Sequence, residues 1–125
     1  MNDTSENRNA VLIVEDEPLL RLHLADLVEE AGFVAIEAKD ADEAIPILER
    51  RSDIALLLTD INMPGSIDGI KLAHAVRHRW PPIKIILVSG QVRPSDAELP
   101  LGSRFYPKPF ETIKMIAELR SMIAS

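Results

Sequence analysis

Short, nearly continuous apolar runs alternate along the chain with longer stretches in which apolar positions return every three or four residues. The runs are "AVLIVED" from Ala10, "VAIEA" from Val34, "IALLLTD" from Ile54, "IKIILVS" from Ile83 and "RFYP" from Arg104. Runs of this length with β-branched residues read as strands, and their lack of alternation predicts burial on both faces. The periodic stretches read as helices. Residues 18–31 place Leu20, Leu24, Leu27, Val28 and Ala31 on one stripe, with Pro18 in the first turn and Gly32 closing the helix. Asp40 can cap a second helix over 41–50, with Ala44, Ile45 and Leu48 inward and a kink expected at Pro46. A third helix over 68–79 carries Leu72, Ala73, Val76 and Trp80, and "WPP" ends it. The chain closes in a helix over 111–123. Strands alternating with helices imply right-handed crossovers and an α/β fold with a parallel sheet covered on both faces.

One place departs from this alternation. Residues 91–103, where a further helix belongs, contain Pro94 and Pro100 and little helical periodicity, which predicts a single turn or an irregular loop.

Composition narrows the class. A length of 125 residues suits one domain, expected over residues 10–125 behind a mobile polar leader at 1–9. The absence of cysteine excludes disulfides and thiol chemistry. A net charge of −6 argues against nucleic-acid binding, which needs cations to displace phosphate counterions. No run is long enough for a membrane helix and the N-terminus has no signal-peptide pattern, so the expectation is no membrane partner and a cytoplasmic location.

Candidate chemistry gathers at the strand ends. In a doubly wound parallel sheet, ligands bind beyond the carboxyl ends of the strands. Those ends carry Glu15 and Asp16, Asp60, Ser89 and Lys108. Three converging carboxylates repel one another unless a cation joins them. An oxygen-only set without His or Cys favours Mg²⁺. Beside such an ion and an ammonium group, one carboxylate can attack a phosphoryl group and form an aspartyl-phosphate.

Four motifs in order, "VLIVEDEP", "LLTDINMPG…DG", "ILVSG" and "PKPF", resemble the receiver domain of two-component response regulators. The resemblance implies a flavodoxin-like, five-stranded parallel sheet of order 2-1-3-4-5, here with the fourth helix shortened or replaced by a loop. It implies that Asp60 is the phosphoacceptor and that Glu15, Asp16 and Asp60, with the backbone carbonyl of Asn62, hold Mg²⁺. Ser89 and Phe105 match the switch hydroxyl and switch aromatic, Lys108 the lysine that pairs with the phosphoryl group, and Lys108–Pro109 the family's cis peptide. The implied partners are a histidine kinase or phosphotransfer protein as donor and a downstream protein as target, in a signalling module that is not a dedicated enzyme. As the chain ends after its last helix, output through protein contacts or phosphate relay is expected. The loop between Pro64 and Asp68 is one residue longer than the family pattern, and Glu15 and Phe105 stand where Asp and Tyr are common.

Two competing readings are an Mg²⁺-dependent phosphohydrolase working through an aspartyl-phosphate, and a binding module of the same fold that needs no phosphorylation. His74 and His78, spaced four apart beside Lys71, read as a solvated helix face, and Glu17 as a solvated first-turn residue. On the last helix, Ile113, Ile116, Ala117 and Ile123 make the stripe expected against the sheet. Met115, Leu119 and Met122 extend it, which suggests a homodimer or partner face.

Overall fold

The computed structural model describes residues 8–63, 65, 67–91 and 93–124; most of the expected leader lies outside them. Five strands form one parallel sheet: β1 (Ala10–Val14), β2 (Val34–Ala38), β3 (Ile54–Asp60), β4 (Lys84–Ser89) and β5 (Arg104–Pro107). Their order is β2-β1-β3-β4-β5, as the resemblance implied. Four helices cross over between or after them: α1 (Pro18–Glu30), α2 (Ala41–Arg50), α3 (Gly69–Arg79) and α4 (Thr112–Ala124).

The unbroken apolar strands follow from burial on both sides. Along β1, Val11 and Ile13 pack into the core beneath α1 and α4, while Leu12 and Val14 pack into the core beneath α2 and α3. Leu56 and Leu58 of β3 alternate with Leu57 in the same way, as do Ile86 and Val88 of β4 with Ile85 and Leu87. Each such side chain contributes about 1.5–3 kcal/mol by leaving water. Two cores therefore clamp the central strands, so the carboxyl ends of β1 and β3 are the most firmly held points for a site.

The helix ends follow from local chemistry. Glu17 caps α1, its carboxylate accepting from the N–H groups of Leu19 (3.2 Å) and Leu20 (2.8 Å), so it is a helix cap and not merely a solvated first-turn residue. Gly32 closes the helix at a φ of +100°, with its N–H on the Glu29 carbonyl and the Phe33 N–H on that of Val28. Asp40 and Asp68 cap α2 and α3 through the N–H groups of Glu43 and Lys71. Pro46 is accommodated inside α2, which stays helical from Ala41 to Arg50.

The segment without helical periodicity forms only a 3-10 turn, Asp96–Glu98, capped by Ser95. His74 reaches across from α3 to the Glu98 carbonyl at 2.7 Å, so this exposed histidine tethers the segment. His78 is solvent-exposed, as expected.

The last helix corrects the sequence reading. Met115, Ile116, Leu119 and Met122 are its buried residues, packed into the core shared with α1, whereas Ile113 is 82% exposed. The arc assigned to a partner therefore covers the sheet, together with Ile116 and Ile123 of the expected stripe. The helix is rotated relative to the stripe chosen from the wheel, and Met115, Leu119 and Met122 do not form an interaction face.

Candidate functional site

Asp60 ends β3 with only 7% of its surface exposed, at the edge where β1, β4 and β5 also end. A buried carboxylate needs a counter-charge. Lys108 supplies it: the residue follows β5, donates its backbone N–H to the Ser89 carbonyl (2.9 Å), and sends Nζ to Asp60 Oδ2 and Glu15 Oε1, both at 3.1 Å. The Lys108–Pro109 peptide is cis, as the resemblance implied.

Glu15 is buried at the end of β1, pinned by its N–H on the Ala38 carbonyl and by Oε2 accepting the Glu17 N–H (3.1 Å). Asp16 next to it is exposed. Each of Glu15, Asp16 and Asp60 offers an oxygen, and the three oxygens lie within 4.8 Å of one another. Those atoms are all hard donors, close enough for one small divalent cation to draw them together, and the open side leaves room for its waters. The residues present thus fit Mg²⁺.

Burial pushes the Glu15 carboxyl above its ordinary value of 4.5, and the Asp60 charge adds to this against the Glu17 N–H and Lys108. A raised pKa means the folded chain holds this proton where the unfolded chain has released it. The resulting stability is complete below about pH 4.5 and is lost as pH rises through the raised value. Glu15→Gln removes that dependence. In thermal melts without metal, the variant should gain on the wild type as pH rises from about 4.5 to 7; a difference that stays constant, or that moves in the wild type's favour, contradicts the assignment.

Ser89, at the end of β4, is buried, and its Oγ accepts from the Gln91 N–H (3.2 Å) and the Asn62 side-chain amide (3.4 Å). The Asn62 N–H reaches Asp60 Oδ1 at 3.3 Å, so the turn after β3 folds back over the acid. Phe105 of β5 packs on the α2–α3 side and Tyr106 on the opposite one. The structure thus brings Glu15, Asp16, Asp60, Asn62, Ser89 and Lys108 to one edge, with Phe105 behind it in the sheet.

Beside the acids a largely apolar cleft of about 290 Å³ opens between α1 and the turn into α4, lined by Leu20, His23, Lys108, Pro109 and Phe110. Leu19, the neighbour of Leu20, is 76% exposed.

Sequence reading missed Gly69. A Cβ there would lie 2.0 Å from the Asp60 carbonyl oxygen, while its N–H bonds the Ile61 carbonyl at 2.9 Å. The "DG" within the motif was the available signal: Asp68 caps α3, and Gly69 lets α3 start against the backbone of the phosphoacceptor candidate.

The family model for the response regulator receiver domain matches residues 11–120. Response regulator protein FleR of Pseudomonas aeruginosa is 35% identical over 104 residues, covering 81% of this chain and 22% of its own. Among solved structures, the receiver domain of the hybrid histidine kinase CckA superposes with a TM-score of 0.77 at 30% identity, covering 91% of this chain and 98% of that one. Response regulator TrrA of Thermotoga maritima, solved with Mg²⁺–BeF, gives 0.76 at 24% identity over 91% and 98% of the two chains. The chain belongs to the response regulator receiver domain family, the signalling modules of two-component systems. It spans between 12% and 49% of the length of the first curated relatives it matches. No helix among the described residues is long and apolar enough to cross a membrane.

Proposed function

We propose that Asp60 accepts a phosphoryl group from a phosphohistidine on a histidine kinase or phosphotransfer protein, and that the charged product switches a protein-binding surface. The observation that carries this reading is the Asp60 carboxylate, held at the end of a clamped strand, bridged to Lys108 Nζ and grouped with Glu15 and Asp16. An Asp60 oxygen attacks phosphorus as the donor's P–N bond breaks, and the released imidazole takes up a proton. Lys108 then pairs with a phosphoryl oxygen, a role open to it because its ammonium already bridges two acids at the site. Glu15, Asp16, Asp60 and the Asn62 carbonyl would hold Mg²⁺, whose charge offsets that of the transferring oxygens. The Mg²⁺–BeF complex of TrrA supports this for the fold relative, and the acidic cluster supports it here. The apolar cleft beside the acids suits a macromolecular donor better than a small one.

After transfer, three new acceptor oxygens draw the Ser89 hydroxyl away from Asn62 and Gln91, and Phe105 follows into the space beneath. That bias passes into residues 91–103, the segment His74 tethers to α3.

Incubation with Mg²⁺ and a small acyl phosphate tests the reading, followed by intact-mass measurement and peptide mapping. One phosphoryl group per chain, on the peptide carrying Asp60 and only with Mg²⁺, is the expected result. Absence of any adduct would leave a phosphorylation-independent binding module. Rapid multiple turnover would point to a phosphohydrolase, but nothing in the site favours that reading, since Glu17, where such an enzyme needs its second acid, is engaged as the cap of α1.

A further inference from the structure

Arg21 is the fourth residue of α1, a place where a cation opposes the helix dipole, and no role proposed so far uses it. Its side chain turns back beneath the β1–α1 turn. Nη1 donates to the Glu15 carbonyl oxygen at 2.9 Å, and Nε donates to Glu37 Oε1 at 3.2 Å. Glu37 sits on β2 directly across from Ile13 of β1, so it is fixed relative to the strand that ends in Glu15. The arginine side chain is 22% exposed, the more sheltered member of a pair whose glutamate is 44% exposed.

The carbonyl that Arg21 holds belongs to the peptide joining Glu15 to Asp16. That unit is planar and stiff, so anchoring its oxygen fixes the directions in which both side chains leave the backbone. The Glu15 N–H is already tied to the Ala38 carbonyl, and the Glu17 N–H, two residues on, to the Glu15 carboxylate. Without the guanidinium, the peptide between these two anchors loses the tie that Arg21 gives its oxygen.

We propose that Arg21, braced by Glu37, is a positioning residue that holds the Glu15–Asp16 peptide in the orientation that binds a divalent cation. It touches neither the cation nor the phosphoryl group. The fork of a guanidinium is needed because its two bonds diverge, one to a backbone oxygen and one to a carboxylate on another strand.

The sign of the effect separates positioning from plain electrostatics. A cation near a cation site repels the ion, so if the Arg21 charge mattered only through its field, removing it would tighten binding. Loss of positioning loosens it. The inference rests on the Mg²⁺-dependent reading above, and titration of Mg²⁺ alone into the full chain by calorimetry tests the two separately. Failure of the wild type to bind Mg²⁺ would sink that reading. With wild-type binding in hand, Arg21→Met should weaken affinity about tenfold, the lower end of what loss of a ligand-orienting partner does. Arg21→Lys should recover part of the loss and Glu37→Gln should weaken binding about threefold, with circular dichroism unchanged. Unchanged or tighter binding in Arg21→Met overturns the proposal. If that variant does not fold, wild-type affinity in both Arg21→Lys and Glu37→Gln overturns it.

Discussion

Asp60→Asn will form no phosphoryl adduct with a small acyl phosphate and Mg²⁺, and its metal-free form will melt several degrees above the wild type. The first outcome follows from chemistry, since an amide oxygen is too weak a nucleophile to replace the carboxylate. The second follows from the resting electrostatics. Asp60 is 7% exposed and shares its edge with Glu15 and Asp16, while the Lys108 ammonium is the one cation among the described residues that bridges Asp60 and Glu15. Asparagine keeps the volume and an acceptor for Lys108 while removing one buried charge. Net relief on the order of 1 kcal/mol is expected, a rise of roughly 3–6 °C for a domain of this size. Mg²⁺ at ten times its Kd stabilises the wild type by about 1.4 kcal/mol, so saturating metal should narrow or reverse the gap. Paired melts with EDTA and with Mg²⁺ read this out. A variant less stable than wild type in EDTA would mean that the Asp60–Lys108 attraction outweighs desolvation and repulsion together.

Why the convergence of these side chains could be read from sequence is a matter of topology. A parallel strand buried on both faces advertises itself as an unbroken apolar run, and each run's last residue lands on one edge of the sheet. Glu15, Asp60, Ser89 and Lys108 meet there for that reason alone, so locating the strands located the chemistry. The irregular segment before β5 was legible for a similarly local cause, because Pro94 and Pro100 each remove a helix donor.

What escaped the sequence depends on contacts between elements. Helix α4 has apolar residues at 113, 115, 116, 117, 119, 122, 123 and 124, more than half of its circumference. Its own periodicity therefore cannot select the buried arc; the surfaces of α1 and the sheet do, and they leave Ile113 outside. Arg21 went unread because its partner, Glu37, lies on another element, far along the chain. The additional residue after Pro64 gains part of an explanation. Gly65, at a φ of +109°, lies against α2's first turn, where a Cβ would meet the Asp42 carboxylate at 3.2 Å. The longer loop thus reaches the end of a neighbouring helix.

Gly69→Ala should be the most damaging small substitution in the chain. Its Cβ would stand 2.0 Å from the Asp60 carbonyl oxygen and 2.8 Å from both the Asp60 carbonyl carbon and the Ile61 Cα. All three are backbone atoms, so no side-chain rotation can relieve the overlap. Either α3 must withdraw, breaking the Gly69–Ile61 hydrogen bond, or the end of β3 must shift and carry Asp60 with it. Over-packing that flexible side chains can absorb costs about 1–3 kcal/mol, and this contact should exceed that range. Gly32→Ala is the control: Gly32 has a φ of +100° but nothing within 4 Å of a new Cβ, so it should lose only the 1–2 kcal/mol or so of left-handed strain. Urea unfolding should show a larger loss for Gly69→Ala than for Gly32→Ala. Adduct formation should fall steeply in the first and stay near wild type in the second while both remain folded. Equal stability losses, or full phosphorylation of folded Gly69→Ala, would mean that α3 can move off without disturbing Asp60. The start of α3 would then play no part in placing Asp60.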